Sequence, residues 1–359
     1  MATSTVTTQA LFRTDASPTI GGGHVMRCLA LAQVLSMRGW QCEFMTGEKS
    51  LETVPQLARS DHKVTVLTAD CLTDPAALKE RRGSPAALLV VDHYGLDAAY
   101  ETPLRGSAKT LLVIDDLADR PHNCDILLDQ TFGRDVHAYK DLVPKHCRIL
   151  TTSRHALLRP EFAAQRQKAL ARRQEAPAVA RILISMGMTD PNNDTCTALS
   201  AIEAAGADSA VDVILGPSAP HLPAVRNMSR SMSTEVTIHV DPDNVADLVT
   251  AADVAIGAGG SASWERCCLG LPTLVFTYGP VQKLVVRELE RARAIVLVPP
   301  GPDSIVQRLA EYLHHLMTDQ PRRREMAQAA AALCDGMGAN RVARAIETLT
   351  KPRFYEAGH

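Results

Sequence analysis

A histidine that follows three glycines and opens a helix is the first place in this sequence where chemistry could be done. Between Phe12 and Gly39 a short apolar strand runs into a turn through Gly21, Gly22 and Gly23. His24 then begins a long amphipathic stretch that Gly39 closes. Glycines in such a turn adopt backbone angles that other residues avoid, and they let a ligand approach the main chain closely. An imidazole in the first turn of a helix feels the positive end of the helix dipole, which favours the neutral ring and leaves it able to accept a proton. A general base working near neutral pH needs that property. His24 reads equally well as a polar helix-start residue without chemistry. Asp15, upstream, is either a turn residue or the carboxylate that orients His24. A dinucleotide fingerprint is a poor match, because Gly21-Gly22-Gly23-His24 does not fit Gly-x-Gly-x-x-Gly.

A second cluster lies in the segment from Ala252 to Phe276. A strand ends at Ile256, Gly257, Gly259 and Gly260 turn the chain, and Ser261 and Ser263 are capping candidates for a helix from about Ala262 to Leu269. Free backbone N–H groups at that start can hold a diphosphate. Glu265, one turn in, is placed to accept hydrogen bonds from a ribose diol; its plainer role is to complement the helix dipole. No Gly-x-x-x-x-Gly-Lys-Ser/Thr loop is present, which argues against an ATPase or GTPase.

The elements that must position these loops alternate between short apolar runs and longer amphipathic ones, the pattern of parallel sheet with crossover helices. Strands are expected at Ala10–Arg13, Glu43–Thr46, Val64–Leu67, Leu88–Val91, Leu111–Asp115, Ile126–Leu128 and Arg148–Leu150. In the second half they are expected at Ile182–Met186, Val211–Leu215, Val236–Val240, Val254–Ile256, Thr273–Phe276 and Ile295–Val298. Runs such as LLVV and LLVID do not alternate, as suits strands covered on both faces. A chain of 359 residues is long for one domain. The expected division is a Rossmann-like domain over 8–159, a connection over 160–178 containing one helix, and a second Rossmann-like domain over 179–350 that carries the diphosphate-holding loop. The fold class is thus α/β, with two Rossmann-like domains facing across a cleft, and ligands are expected beyond the carboxyl ends of the strands. Helices are expected near Asp303–Thr318, Arg322–Cys334 and from Asn340, the last free to cross back to the first domain.

Composition narrows the classes further. Hydrophobic residues are 46% and charged residues 22%, ordinary for packed cores, and the formal net charge of −2 argues against nucleic-acid binding. The nine cysteines include no Cys-x-x-Cys and read as reduced thiols; the 12 histidines show no metal-ligand spacing. No signal peptide and no run of about 20 apolar residues is evident, so a cytoplasmic protein with no membrane partner is expected. Oligomeric state is not legible.

Taken together, RTDASPTIGGGHVMRCLALA, VVDHYGLD, VIDDLADRPHNCDILLDQ, ALLRPEF, the TDPNN stretch and GSASWERCCLGLPTLV resemble the UDP-2,4-diacetamido-2,4,6-trideoxy-β-L-altropyranose hydrolases of pseudaminic acid biosynthesis, within the glycosyltransferase-B architecture. The likeness runs from about Leu11 to Ala345. It implies inverting hydrolysis of a UDP-sugar at the anomeric carbon, with no metal or organic cofactor. His24 would activate water and Tyr94 would be a second active-site group, although Tyr94 alone reads as a strand-end tyrosine. Substrate contacts would come from Gly22, Gly23, Arg27, Gly187, Gly259, Gly260, Ser261, Ser263, Glu265 and Gln282. The chain departs from the family pattern at Met188, where a second glycine is usual, at Val281 before Gln282, and at Thr131. A UDP-sugar glycosyltransferase of the same fold is the main alternative. A sugar-nucleotide-binding protein without catalysis and a nicotinamide oxidoreductase fit less well.

Overall fold

The computed structural model describes residues 8–68, 72–80, 85–277 and 284–350. Two all-parallel sheets form its frame. The first holds β1 (Gln9–Thr14), β2 (Gln41–Thr46), β3 (Lys63–Val66), β4 (Ala86–Asp92), β5 (Ala108–Ile114), β6 (Ile126–Asp129) and β7 (Arg148–Thr151) in the order β3-β2-β1-β4-β5-β6-β7. The second holds β8 (Arg181–Ser185), β9 (Ala210–Leu215), β10 (Val236–Val240), β11 (Val254–Gly257), β12 (Thr273–Phe276) and β13 (Val296–Val298) in the order β10-β9-β8-β11-β12-β13. Every expected strand is present, with ends shifted by no more than three residues.

The apolar runs explain why both faces of each sheet are covered. Successive strand side chains point to opposite faces, so a continuous apolar run supplies two cores at once. Leu88 and Val90 of β4 pack with the helix α1 (Gly23–Ser36), whereas Leu89 and Val91 enter a separate cluster with Leu96, Tyr100 and Tyr139. In the second sheet Ile182 and Ile184 face one core and Leu183 the other.

The chain passes between the two bodies at two places. The stretch expected as a connection is largely the helix Pro160–Glu175, whose Phe162 and Ala169 lie in the same core as Leu183, Trp264 and Cys267. Arg166 and Arg173 of that helix bond to main-chain carbonyls of Cys334, Ala331, Ala252 and Val249. The last helix, Gly338–Thr350, does cross back: Ala339, Val342, Ala343 and Ile346 complete the core under α1. At this second crossing the backbone runs so close to Ala156 that a Cβ on Gly338 would sit 2.1 Å from the Ala156 carbonyl oxygen.

In each sheet the strand order reverses once, between β1 and β4 and between β8 and β11. Loops leaving the carboxyl ends of the strands diverge at such points and open a crevice. The first glycine loop leaves β1 and the second leaves β11, so each flanks a crevice.

Candidate active site

The first loop owes its shape to its neighbours. Gly21 takes a positive φ of 82° and donates its N–H to the Ser17 carbonyl at 2.7 Å. Ser50 pins the preceding residue from both sides, accepting from the Ala16 N–H at 2.7 Å and donating to its carbonyl at 3.2 Å. Beyond Gly22 the chain enters α1, and His24 and Arg27, three residues apart, share the face turned towards β4.

Both reach Asp92, the last residue of β4, which lies beside Thr14 of β1 in the sheet register. Asp92 Oδ1 is 2.6 Å from His24 Nδ1, and the Arg27 guanidinium grips the carboxylate through Nε to Oδ2 and Nη2 to Oδ1, both at 2.6 Å. Burial by itself would raise the Asp92 pKa, but Arg27 and then His24 hold it well below the ordinary carboxylate range. An ionised carboxylate can only accept, so His24 Nδ1 carries the proton and Nε2 is left as the acceptor. The ring of Tyr94 meets the imidazole edge-on, with centroids 4.4 Å apart and planes at 84°. The Tyr94 hydroxyl donates to Asp116 Oδ2 at 3.4 Å, the same oxygen that Arg27 Nη1 reaches at 3.1 Å. Burial, with Asp116 nearby, pushes the Tyr94 phenol far up, so it stays a hydrogen-bond donor.

Two expectations are corrected here. Asp15 does not orient His24: its carboxylate is bound to the Arg13 guanidinium at 2.7 Å and to the Gly47 N–H at 2.8 Å, tying the ends of β1 and β2 together. Burial would raise its pKa, but Arg13 and the Gly47 N–H bring it below the ordinary value. Asp92 takes the place expected of Asp15. Arg27, expected at the substrate, is buried and committed to Asp92 and Asp116, so it positions the pair rather than a ligand. Asp92 and Asp116 were missed, although each ends or follows a run of apolar strand residues, where acids reach a crevice.

The second loop leaves β11 at Gly257. The Gly257 backbone runs against Arg266, and a Cβ on Gly259 would lie 2.2 Å from Val286 Cγ2, so close packing demands glycine at both. Neither serine caps the helix Ala262–Cys268. Ser263 is buried, donating to the Ala258 carbonyl at 3.3 Å and accepting from Arg266 at 3.2 Å. Ser261 is exposed, with its hydroxyl 3.1 Å from where a Cβ on Gly23 would be, so the two glycine loops face each other across the cleft. Glu265 is half-buried and makes no hydrogen bond or ion pair among the described residues; burial raises its pKa, with Arg159 and Arg266 opposing.

The remaining expected contacts fall around this gap. Gly187 follows β8 with a φ of +104°, an angle that suits glycine alone, and its Cβ position is open. Met188 comes next, its Sδ 2.5 Å from where a Cβ on Gly22 would sit, so the thioether closes one side of the first loop. The helix Asp194–Ala204 that follows cannot offer its start to a ligand. The Asp190 carboxylate already accepts from the Asp194 and Thr195 N–H groups, both at 2.9 Å. Gly260 is open. Gln282 and Val281 lie outside the described residues. Among the described residues no group of three or more His, Cys, Asp or Glu side chains is arranged to hold a metal ion, and no helix is long and apolar enough to cross a membrane.

No protein-family model matches the chain. It is similar to UDP-2,4-diacetamido-2,4,6-trideoxy-beta-L-altropyranose hydrolase of Campylobacter jejuni, 25% identical over 262 residues that cover 73% of this chain and 88% of that one. It is also similar to the spore coat polysaccharide biosynthesis protein SpsG of Bacillus subtilis, 24% identical over 338 residues, 92% of this chain and 95% of that one. An uncharacterised protein of Methanocaldococcus jannaschii is 24% identical over 274 residues, 75% of this chain; the match spans only 56% of that longer protein. Among solved structures, MurG of Acinetobacter baumannii superposes with a TM-score of 0.62 at 14% identity, covering 95% of this chain and 99% of that one. A complex of MnaA from S. aureus with UDP superposes with a TM-score of 0.63 at 12% identity, covering 95% and 96%. The fold is that of glycosyltransferase-B proteins: two parallel-sheet α/β domains with a cleft between them.

Proposed function

We propose that this chain hydrolyses a UDP-linked 2,4-diacetamido-2,4,6-trideoxy sugar to UDP and free sugar, with inversion at the anomeric carbon. The observation that carries the reading is the meeting of the two glycine loops, 3.1 Å between the Ser261 hydroxyl and the Cβ position of Gly23, with the His24–Asp92 pair next in the chain. Similarity to the UDP-2,4-diacetamido-2,4,6-trideoxy-beta-L-altropyranose hydrolase of C. jejuni supports the choice of sugar.

In this reading UDP lies on the second domain, its diphosphate against the open backbone at Gly259, Gly260 and Ser261. Glu265 accepts from the ribose diol, and Gly22, Gly23 and Gly187 leave room for the sugar. His24 Nε2 takes a proton from water as the oxygen attacks C1, and the C1–O bond breaks with its electron pair passing to the diphosphate. Asp92 stabilises the imidazolium that forms, much as a buried aspartate does behind other catalytic histidines. Tyr94 shields the ring and keeps it upright. A diphosphate is a competent leaving group, so backbone donors that stabilise its charge suffice and no strong general acid is required.

The test is to offer a panel of UDP-sugars and assay UDP release with and without sugar acceptors. Release that requires an acceptor would make the protein a transferase. In ¹⁸O-water the label should enter the free sugar at C1; label recovered in UDP would mean cleavage at phosphorus and would overturn the mechanism.

A further inference from the structure

Beneath the second glycine loop lies a buried cation that no ion pair holds among the described residues. Arg266 is 2% exposed, and its guanidinium is packed so tightly under the loop that a Cβ on Gly257 would sit 2.7 Å from Cζ. Nη2 donates to the Ala258 carbonyl at 2.6 Å and to Ser263 Oγ at 3.2 Å. Nη1 is buried and has no hydrogen-bond partner among the described residues; the neighbouring Glu265 carboxylate attracts the group but forms no ion pair with it. The other deeply buried arginines differ. Arg27 is paired with Asp92, and Arg173 donates to three main-chain carbonyls. A buried charge without a paired counter-ion is among the most costly features a fold can keep, and it becomes more tolerable when a further counter-charge arrives.

The surface above Arg266 is where a counter-charge would arrive. Because the Ala258 carbonyl points inward to Nη2, the Gly259 N–H of the same trans peptide points the opposite way. The N–H groups of Gly259, Gly260 and Ser261 make no hydrogen bond among the described residues, and Ser261 is exposed. Three N–H groups without a partner among the described residues thus directly follow the carbonyl that Arg266 holds.

We infer that Arg266 is the positioning residue for a bound diphosphate. It fixes the loop through the Ala258 carbonyl, and its unpaired charge draws the anion onto the three N–H groups without touching it. This rests on the UDP-sugar reading above, and it separates two jobs within one site. Glu265 recognises the nucleoside and Arg266 serves the phosphates alone.

Calorimetry on the full chain with UDP and with uridine tests this, comparing wild type with Arg266→Gln, which keeps a donor for Ala258 but no charge, and Arg266→Lys. Arg266→Gln should weaken UDP binding roughly tenfold or more, by the usual size of a lost charged contact, while uridine binding changes less than about twofold. Arg266→Lys should recover most of the loss. If UDP and uridine fall together, or if UDP affinity is unchanged in Arg266→Gln, Arg266 is only a brace and the inference fails while the UDP-sugar reading stands. If wild type binds no UDP, that reading itself fails. Should the variants not fold, wild type still decides the matter. Inorganic diphosphate alone should raise its melting temperature and compete with UDP, and the absence of both effects would overturn the inference.

Discussion

Asp92 receives three charge-assisted contacts at 2.6 Å from two cationic or protonatable side chains, and those contacts determine which proton His24 can move. With Nδ1 bound to a carboxylate that stays ionised, Nε2 is the ring atom left to accept, and a charge acquired on taking a proton would be met by Asp92. Asp92→Asn keeps the shape but can donate as well as accept, which favours the wrong tautomer. Turnover should fall roughly 10²- to 10⁴-fold with KM little changed, since the proposed nucleotide contacts lie on the other domain. A KM that rises as much as kcat falls would place Asp92 among the binding groups instead. Glu265 makes a separate, pH-linked prediction. Its pKa is raised by burial in the free protein, whereas a ribose diol donating to it favours the ionised form. Binding UDP must therefore displace a proton as pH falls towards that raised value, and affinity should weaken on acidification over a range where an ordinary glutamate would still be ionised. In Glu265→Gln that component should vanish, leaving only the titration of the phosphate itself. Isothermal titration across pH, comparing the two proteins, detects it; parallel curves would remove Glu265 from the ribose.

At the scale of elements, the glycine at the second crossing sets how the last helix docks. A Cβ on Gly338 would meet the main chain of Ala156, 2.1 Å from its oxygen and 2.6 Å from its nitrogen, and backbone cannot swing aside as a side chain can. Gly338→Ala should cost about 1–3 kcal/mol or more by urea unfolding, the usual penalty of overpacking, and should loosen the helix Gly338–Thr350 from α1. Unchanged stability would mean the crossing is softer than it looks. This crossing also shows what the sequence could and could not reveal. The thirteen strands were legible because each is a short apolar run bounded by polar or turn residues, and because strands buried on two faces do not need alternation. The direction of the last helix was not, since an amphipathic face does not say which of two cores it completes. Asp92 was hidden for a related reason. Its partnership with His24 depends on β4 lying beside β1, and sheet order is a tertiary fact that spacing along the chain does not encode. The nearer acid, Asp15, looked better only because it is close in sequence. The capping expected of Ser261 and Ser263 failed because Arg266 recruits Ser263 inward with the Ala258 carbonyl, a competition that a local pattern cannot display.

For the whole molecule, the proposed base and the proposed nucleotide site sit on different domains, so on that reading activity depends on what holds the two loops together. Besides the approach of Ser261 to Gly23, further contacts cross the cleft near the first glycine loop. Arg59 pairs with Asp241 at 2.9 Å and Asp243 at 3.2 Å, Ser218 donates to the Glu52 carbonyl at 2.7 Å, and Met188 packs over Gly22 and Val54. Their strengths differ in kind. The Arg59 side chain is 50% exposed, and an exposed ion pair contributes about 0–1 kcal/mol and weakens further with salt. A buried thioether contributes about 1.5–3 kcal/mol when fully covered and is insensitive to salt, although Met188 is only partly buried here. Met188→Ala should therefore open the protein more than Arg59→Ala does, seen as a larger radius of gyration without ligand by small-angle scattering. Raising salt from low to about 1 M, where the screening length falls to about 3 Å, should reproduce the Arg59→Ala effect in wild type and add nothing to it in the variant. If the nucleotide contacts lie on the second domain as proposed, both variants should lose turnover more than UDP affinity. If Arg59→Ala opens the cleft further than Met188→Ala does, the closed form rests on charge, and its activity should then fall steeply with ionic strength.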